Sequence, residues 1–333
     1  MLKKEALMNH ARESITVGSK SFAAAASLFD PATRRSVLML YAWCRHCDDV
    51  IDGQEMGFTS RDTPRGSPQQ RLAQLEEKTR LACSGAPMHE PAFAAFQEVA
   101  TRHAISPRLA FDHLEGFAMD VRDTRYETFA DTLRYCYHVA GVVGLMMARV
   151  MGVRDEAVLD RACDLGLAFQ LTNIARDLVD DARAGRCYLP ASWLAEEQMS
   201  AAEIADPAKR ENLARLAQRL VAEAEPYYAS ARAGLNGLPL RSAWAIASAH
   251  GVYREIGIKV SAAGAAAWER RQGTRRLEKL GLLVKGAGVA VSSRVGTPAP
   301  RPPPAASLAA PFPRALSALR ARSVAWSAAT GGV

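Results

Sequence analysis

No run of 18 or more apolar residues occurs among the 333 residues, although 49% of them are hydrophobic. Crossing a bilayer takes about 20 such residues in one helix, so no spanning segment is expected. The longest apolar stretch, Val139 to Val153, contains Arg149. Cysteine is sparse and scattered, at Cys44, Cys47, Cys83, Cys136, Cys163 and Cys187, which excludes a disulfide framework in a chain this long. Cys44-Arg-His46-Cys47 lacks a second Cys/His pair at zinc spacing and reads as helix core. Repeats at solenoid spacing are missing, as is a glycine-rich dinucleotide fingerprint after a strand. The opening MLKKEALMNHARES carries charges but no apolar core, unlike a secretory signal, and a reducing cytosol is the expected compartment.

Acid is absent from the C-terminal end. From Gly296 to Val333 there are four arginines and no lysine, aspartate or glutamate, so a net charge of +7 leaves only +3 for the rest. A body so close to neutral excludes a nucleic-acid footprint. Its small basic excess suits anionic substrates or a membrane surface. The same tail holds seven prolines, at 298, 300, 302, 303, 304, 311 and 313, and reads as extended or disordered chain. The expected division is an all-helical body over 1–295 and a Pro/Ala/Arg-rich tail over 296–333.

Strand alternation bounded by hairpin turns is also missing. Helix signals dominate instead. Asp30-Pro31, Ser67-Pro68, Ser106-Pro107 and Asp206-Pro207 each set a capping side chain before a proline. The side-chain oxygen takes an orphan N–H, and proline fills the first helical position at no cost. Apolar residues recur at three and four, as in Val37, Leu40, Tyr41, Cys44 and Cys47. These patterns predict helices near 4–15, 19–28, 31–52, 68–83, 91–103, 107–122, 128–151, 155–183, 207–235 and 240–292, the last with a break. Gln54–Pro68 and Asp180–Pro190 follow acidic helix ends, where lid loops are expected.

Two segments carry chemistry. The first is Tyr41-Ala-Trp-Cys-Arg45-His-Cys-Asp48-Asp49-Val-Ile-Asp52, the second Gln170-Leu-Thr-Asn173-Ile-Ala-Arg176-Asp177-Leu-Val-Asp180-Asp181. Asp48 with Asp52, and Asp177 with Asp181, stand four apart, which puts each pair on one helix face about 6 Å apart. Like charges at that spacing destabilise a bare helix by a few tenths of a kcal/mol. Aspartate also opposes the dipole at a helix C-terminus. Two such clusters call for a cation, and Mg²⁺ is the hard ion that shares carboxylate oxygens with phosphate and water. Arg45 and Arg176 lie beside the pairs, and Gln170 and Asn173 lie close to the second pair's face, a set suited to a diphosphate. One pair alone reads as a solvated, arginine-paired helix end. Two pairs, each behind an apolar helix, point to a metal–diphosphate site. The acidic residues Asp112, Glu115, Asp120 and Asp123 read as a solvated face, and His10, His89 and His103 as surface residues.

These segments resemble the squalene/phytoene synthase family, its bacterial carotenoid enzymes in particular, over about Ser19 to Leu283. The likeness rests on Ser19-Lys20-Ser21-Phe22, the segments 41–52 and 170–177, Tyr135-Cys-Tyr137-His-Val-Ala-Gly141-Val-Val-Gly144, Gly185-Arg186-Cys187-Tyr188-Leu189-Pro190, and Tyr253 to Arg270. Cys187 departs from a usually branched aliphatic position, and the tail does not align. The resemblance implies an all-α isoprenoid synthase fold, a single helical domain around a deep central cavity. It implies Mg²⁺, or Mn²⁺ in its place, on Asp48, Asp52, Asn173, Asp177 and Asp181, with Gln170 lining the site. Lys20, Ser21, Arg45, Arg176 and Arg270 would contact diphosphate oxygens. Tyr41, Tyr137 and Tyr253 would stand near the reacting carbons, and a flap would bring in Arg186 and Tyr188.

The implied reaction condenses two geranylgeranyl diphosphates head to head into phytoene, without NADPH. The implied setting is cytoplasmic, with peripheral contact on the inner face of the cell membrane, association with other carotenoid enzymes and no nucleic acid. Three rivals remain at this level. A squalene or dehydrosqualene synthase would use farnesyl diphosphate. A head-to-tail chain-elongating prenyltransferase would favour Asp-Asp-x-x-Asp in both clusters, which Asp177-Leu-Val-Asp180-Asp181 does not match. A non-catalytic assembly factor on the same fold would lack an aspartate or the flap arginine.

Overall fold

The structure, a computed structural model, describes residues 4–55, 58–59 and 66–295. Its helices are α1 (Lys4–Gly18), α2 (Lys20–Ala26), α3 (Pro31–Asp52), α4 (Pro68–Ser84), α5 (Pro91–His103), α6 (Pro107–Val121), α7 (Phe129–Cys136), α8 (Val142–Val150), α9 (Glu156–Arg183), α10 (Ala191–Glu196), α11 (Arg210–Ala233), α12 (Leu240–Ala263) and α13 (Arg276–Ser292). One antiparallel pair, β1 (Gln54–Glu55) with β2 (Phe58–Thr59), follows α3. The tail from Gly296 on, and most of the Gln54–Pro68 loop, lie outside the described residues.

The helix starts follow from their caps. Asp30 accepts from the N–H groups of Ala32 and Thr33, each at 3.0 Å, and Ser67 closes a reciprocal box with Gln70. Ser106 accepts from the Arg108 N–H at 3.3 Å. Asp206 accepts from the Ala208 N–H at 2.9 Å, but there the chain makes one 3₁₀ turn before α11 begins at Arg210. The break expected within 240–292 falls between Ala263 and Arg276. Helix α10 was not legible, because six residues are too few to establish a period.

The continuous helix expected over 128–151 is interrupted by a π turn at Tyr137–Gly141 between α7 and α8. Neighbouring backbones crowd it. A Cβ at Gly166 would stand 2.2 Å from the Ala140 carbonyl, and one at Gly144 would stand 2.2 Å from the Ala162 carbonyl. With glycine at these positions α8 and α9 approach backbone to backbone. The widened turn sets Val139 and Ala140 on the wall of a central cavity.

Two apolar cores flank that cavity. One joins α1, α3, α5, α6 and α8 around Trp43, which is fully buried and stacks on Phe96 with ring centroids 4.1 Å apart. The other joins α7, α9, α10, α11 and α12 around Leu171, Leu213 and Leu220. Burying one phenylalanine-sized side chain contributes about 1.5–3 kcal/mol. The long helix α9 packs on α11, α8 and α12 and runs between the cores, and α13 packs along α12.

Candidate active site

The cavity encloses about 380 Å³. Its wall is mostly apolar or aromatic, with Phe22, Phe117, Val143, Met147, Leu165 and Phe169 among the lining residues. Polar groups gather around the C-terminal parts of α3 and α9: Arg45, Asp48, Gln170 and Asn173, together with Tyr41 and Tyr253. Arg161 also lines the cavity, and its guanidinium donates to the Ser230 carbonyl at 3.1 Å. The rings of Phe22, Tyr41, Phe169 and Tyr253 form one cluster; Phe169 stacks on Tyr253 at 4.2 Å, and Phe22 lies 5.2 Å from Tyr253. Burial pushes the Tyr41 and Tyr253 phenols above their ordinary value, so both are neutral near pH 7. A Cβ at Gly18 would stand 2.5 Å from the Tyr41 hydroxyl, so glycine there leaves that hydroxyl its place.

On α3, Arg45 reaches one turn forward along the helix to Asp48 at 3.1 Å and to Asp49 at 2.8 Å. Asp49 is buried and anchors Arg45. Asp48 is 42% accessible, but it opens into the cavity. Removal from bulk water, with the neighbouring charge of Asp52, pushes its carboxyl up to about 7. Asp52, at the end of the helix, is bound by the guanidinium of Arg186.

On α9, Asp177 accepts from Arg176 at 2.8 and 2.5 Å and from Arg271 at 3.0 Å. Asp181, one turn on, is pushed up to about 7 by burial and by the charge of Asp177. Gln170 accepts from the Asn173 amide at 3.3 Å, and the Asn173 carbonyl oxygen is buried with no partner among the described residues. Arg186 links the two helices. It binds Asp52, and its charge lowers Asp48, Asp120 and Asp181 from where burial alone would set them.

The segment after α9 is anchored rather than loose, unlike the expected lid. Gly185 takes φ +78°, which turns the chain back so that the Arg186 N–H donates to the Asp181 carbonyl at 2.8 Å. Thr132 donates to the Tyr188 carbonyl at 2.8 Å, and the Ala191 N–H donates to the Tyr126 carbonyl at 2.8 Å. Tyr188 is buried, stacks on Tyr135 at 4.4 Å and donates to Asp120 at 3.1 Å.

Of the residues expected from the sequence, Tyr41, Arg45, Asp48, Gln170, Asn173 and Tyr253 line the cavity. Asp52, Asp177, Asp181, Arg176 and Arg186 are joined to them by the charges and hydrogen bonds just described. Lys20 is exposed at the start of α2, and Ser21 is half-buried beside it. Tyr137 does not line the cavity; its hydroxyl donates to Asp112 at 3.4 Å, and Tyr135 faces the cavity instead. Arg270 is exposed, and the adjacent Arg271 is the one that binds Asp177. The acidic face on α6 is not simply solvated. Asp120 accepts from Tyr135 at 3.2 Å as well as from Tyr188, and burial pushes it up to about 6. Asp112 is half-buried against Tyr137 and Arg108. His10, expected at the surface, has a buried Nε2 with no partner among the described residues, and His103 shares a 2.9 Å hydrogen bond with Ser36. Sequence reasoning missed Asp120, whose partner Tyr188 lies 68 residues further along the chain.

The donor set fits a hard divalent cation. Asp48 and Asp181 are two carboxylates that burial and repulsion push toward the neutral form, and the unpartnered Asn173 oxygen lies on the same helix as Asp181. Among the described residues no three His, Cys, Asp or Glu side chains form a ready cage. Mg²⁺ needs none, since it commonly takes one or two protein carboxylates and completes its shell with substrate phosphate and water.

The family Squalene/phytoene synthase matches residues 15–279. A 15-cis-phytoene synthase from Pantoea ananas is 66% identical over 301 residues, covering 90% of this chain and 97% of the relative. Another, from Enterobacter agglomerans, is 70% identical over 286 residues, covering 86% and 96%. Among solved structures, a dehydrosqualene synthase in complex with ligand superimposes with TM-score 0.77 at 28% identity, covering 86% of this chain and 98% of that one. The all-α fold is that of these synthases.

Proposed function

The chain belongs to the squalene/phytoene synthase family, and we propose that it joins two geranylgeranyl diphosphates head to head into 15-cis-phytoene. The observation that carries this reading is the meeting of two acidic helix ends beside one apolar cavity, with the Arg186 guanidinium on Asp52 of α3 and its N–H on the Asp181 carbonyl of α9. Identities of 66% and 70% with 15-cis-phytoene synthases support the choice of product.

The residues divide the work by position. Arg45, Arg176 and Arg186 hold diphosphate oxygens, since guanidinium forks match them, and Lys20 adds an ammonium as a point charge. Asp48, Asp52, Asn173, Asp177 and Asp181 would hold Mg²⁺, with Mn²⁺ able to replace it, which makes diphosphate a better leaving group. When the C1–O bond of one substrate breaks, an allylic cation remains. Water would quench it, and the apolar wall keeps water away. The faces of Phe22, Tyr41, Phe169 and Tyr253 offer the ring quadrupole that a cation prefers. The alkene of the second chain attacks, a proton leaves, and the cyclopropyl intermediate prephytoene diphosphate forms. Its own C–O bond then breaks, the carbon skeleton rearranges, and loss of a second proton gives phytoene. Because Tyr41 and Tyr253 stay neutral phenols, departing diphosphate is the stronger base for both protons. No reductant enters this sequence.

The test is product chromatography on purified protein with Mg²⁺, geranylgeranyl diphosphate and no NADPH, with farnesyl diphosphate run in parallel. Phytoene is the expected product. A C30 product formed faster from farnesyl diphosphate would move the chain to the dehydrosqualene type. No turnover of either substrate would leave the assembly-factor reading.

A further inference from the structure

Helix α13 is apolar on two sides. Its inner side packs on α12, where Gly286 and Ala290 are buried and a Cβ at Gly286 would stand 2.4 Å from the Ser248 hydroxyl. Its outer side exposes Leu277 (82%), Leu280 (58%), Val284 (68%) and Val291 (60%), and Val295 (84%) continues the line just past the helix. At about 100° per residue the four helical positions fall within an arc of about 60°. Gly281 and Gly288 lie in the same stripe with open space where a Cβ would be, so its surface is flat there. A helix apolar on opposite sides needs a second apolar partner.

The borders of the stripe say which partner. Arg276 flanks one side and Lys285 the other, both exposed, with Arg275 at the start of the helix. Between Glu269 and Val295 there are seven basic residues and two acids, and the following tail adds four arginines and no acid. An apolar strip between rows of cations is complementary to a bilayer with anionic headgroups, where acyl chains meet the strip and phosphates meet the rows. A protein surface of the same chain would bring like charges together. The location also fits. Arg271, five residues before α13, binds Asp177 at the acidic end of α9, and Lys279 is close enough to feel the charge of Lys20 on α2. Helix α12, on which α13 lies, contributes Ala245, Ile246, Ala249 and Tyr253 to the cavity wall.

We propose that the outer face of α13 docks on an anionic phospholipid bilayer, placing the cavity beside the layer that dissolves the long prenyl chains. The contact is peripheral, since no helix among the described residues is long and apolar enough to cross a membrane. The inference rests on the functional reading only for the identity of those chains; the docking face stands on exposure and charge.

The experiment is flotation of the full chain with vesicles of phosphatidylcholine alone or mixed with phosphatidylglycerol. The chain floats with the mixed vesicles and is released by added salt, as screening requires. The double variant Leu280→Glu/Val284→Glu weakens flotation at least about tenfold, because it puts charge where acyl chains must go. Leu280→Ile/Val284→Leu keeps it. Circular dichroism and turnover of detergent-dispersed substrate stay unchanged in both variants. Flotation of the Glu variant equal to that of the unchanged chain overturns the proposal, as does binding lost only when Arg314, Arg320 and Arg322 of the tail are replaced by Ser. A dimer in sedimentation that the Glu variant splits, with no vesicle binding, assigns the face to a second copy instead. Failure of turnover in detergent with flotation intact sinks the functional reading and leaves the docking face standing.

Discussion

The acidic ends of α3 and α9 look alike in sequence, yet the chain neutralises them from different places. On α3 the inner aspartate, Asp48, opens into the cavity, and the terminal one, Asp52, is taken by Arg186 from the segment beyond α9. On α9 the inner aspartate, Asp177, is taken by its neighbour Arg176 and by Arg271 from beyond α12. The terminal one, Asp181, forms no ion pair among the described residues. Each pair therefore has one carboxylate that burial pushes up to about 7, although Asp48 also meets Arg45 at 3.1 Å while Asp181 has no such pair among the described residues. The lesson is that two aspartates one turn apart need not act alike. In each pair burial raises the carboxyl of one member, Asp48 or Asp181, and a nearby cation would favour its charged form again.

The largest expected effect follows from the raised members. Asp48→Asn or Asp181→Asn lowers phytoene formation about a thousandfold, on the scale of losing an electrostatic stabiliser in a dry site, measured by product chromatography. The same variants melt no lower than the unchanged protein when metal is absent, because burial already disfavours each charge and Arg45 keeps Asp49. A clear fall in melting temperature would mean that the carboxylate stabilises the fold, and the comparison would break. Next is Arg186→Ala, expected to cut turnover about a hundredfold. It strands Asp52, at a cost to stability of about 1–3 kcal/mol, read in denaturant melts. Arg186→Lys does not restore turnover, since an ammonium lacks the planar fork that matches a carboxylate and a diphosphate together.

The pH dependence tests both raised carboxylates together. Their folded pKa near 7 exceeds the ordinary 3.8 of aspartate, so the folded state binds protons more tightly than the unfolded one. Stability from this source is full below the ordinary value and is lost as pH rises through about 7. Metal-free protein should thus show a falling melting temperature from pH 5 to pH 8. Added Mg²⁺ with inorganic diphosphate should flatten that slope; a slope unchanged by them would break the assignment of a cation site. The smallest effect belongs to Arg271→Ala. Arg271 is 66% exposed and Arg176 still holds Asp177, so turnover falls less than about tenfold, in keeping with the small worth of exposed ion pairs. A loss as large as that of Arg186→Ala would make the two ends more alike than their geometry suggests.

Local order was largely written in the sequence. Side-chain caps before proline and the three-four recurrence of apolar residues act within a few positions, so the helix starts at Pro31, Pro68 and Pro107 are legible without any fold. The spacing Asp48/Asp52 and Asp177/Asp181 likewise follows from one helical turn. The choice between neighbours did not. Arg271 rather than Arg270 reaches Asp177, and Tyr135 rather than Tyr137 faces the cavity, because a π turn and the return of the chain after α12 set the rotation of those side chains. Asp120 joins the site only because the segment after α9 folds back over α6. Contacts between residues far apart in the chain depend on how packed helices are rotated against each other, and that rotation is set by the sum of many small packing terms, none of which has a signature in a short window of sequence.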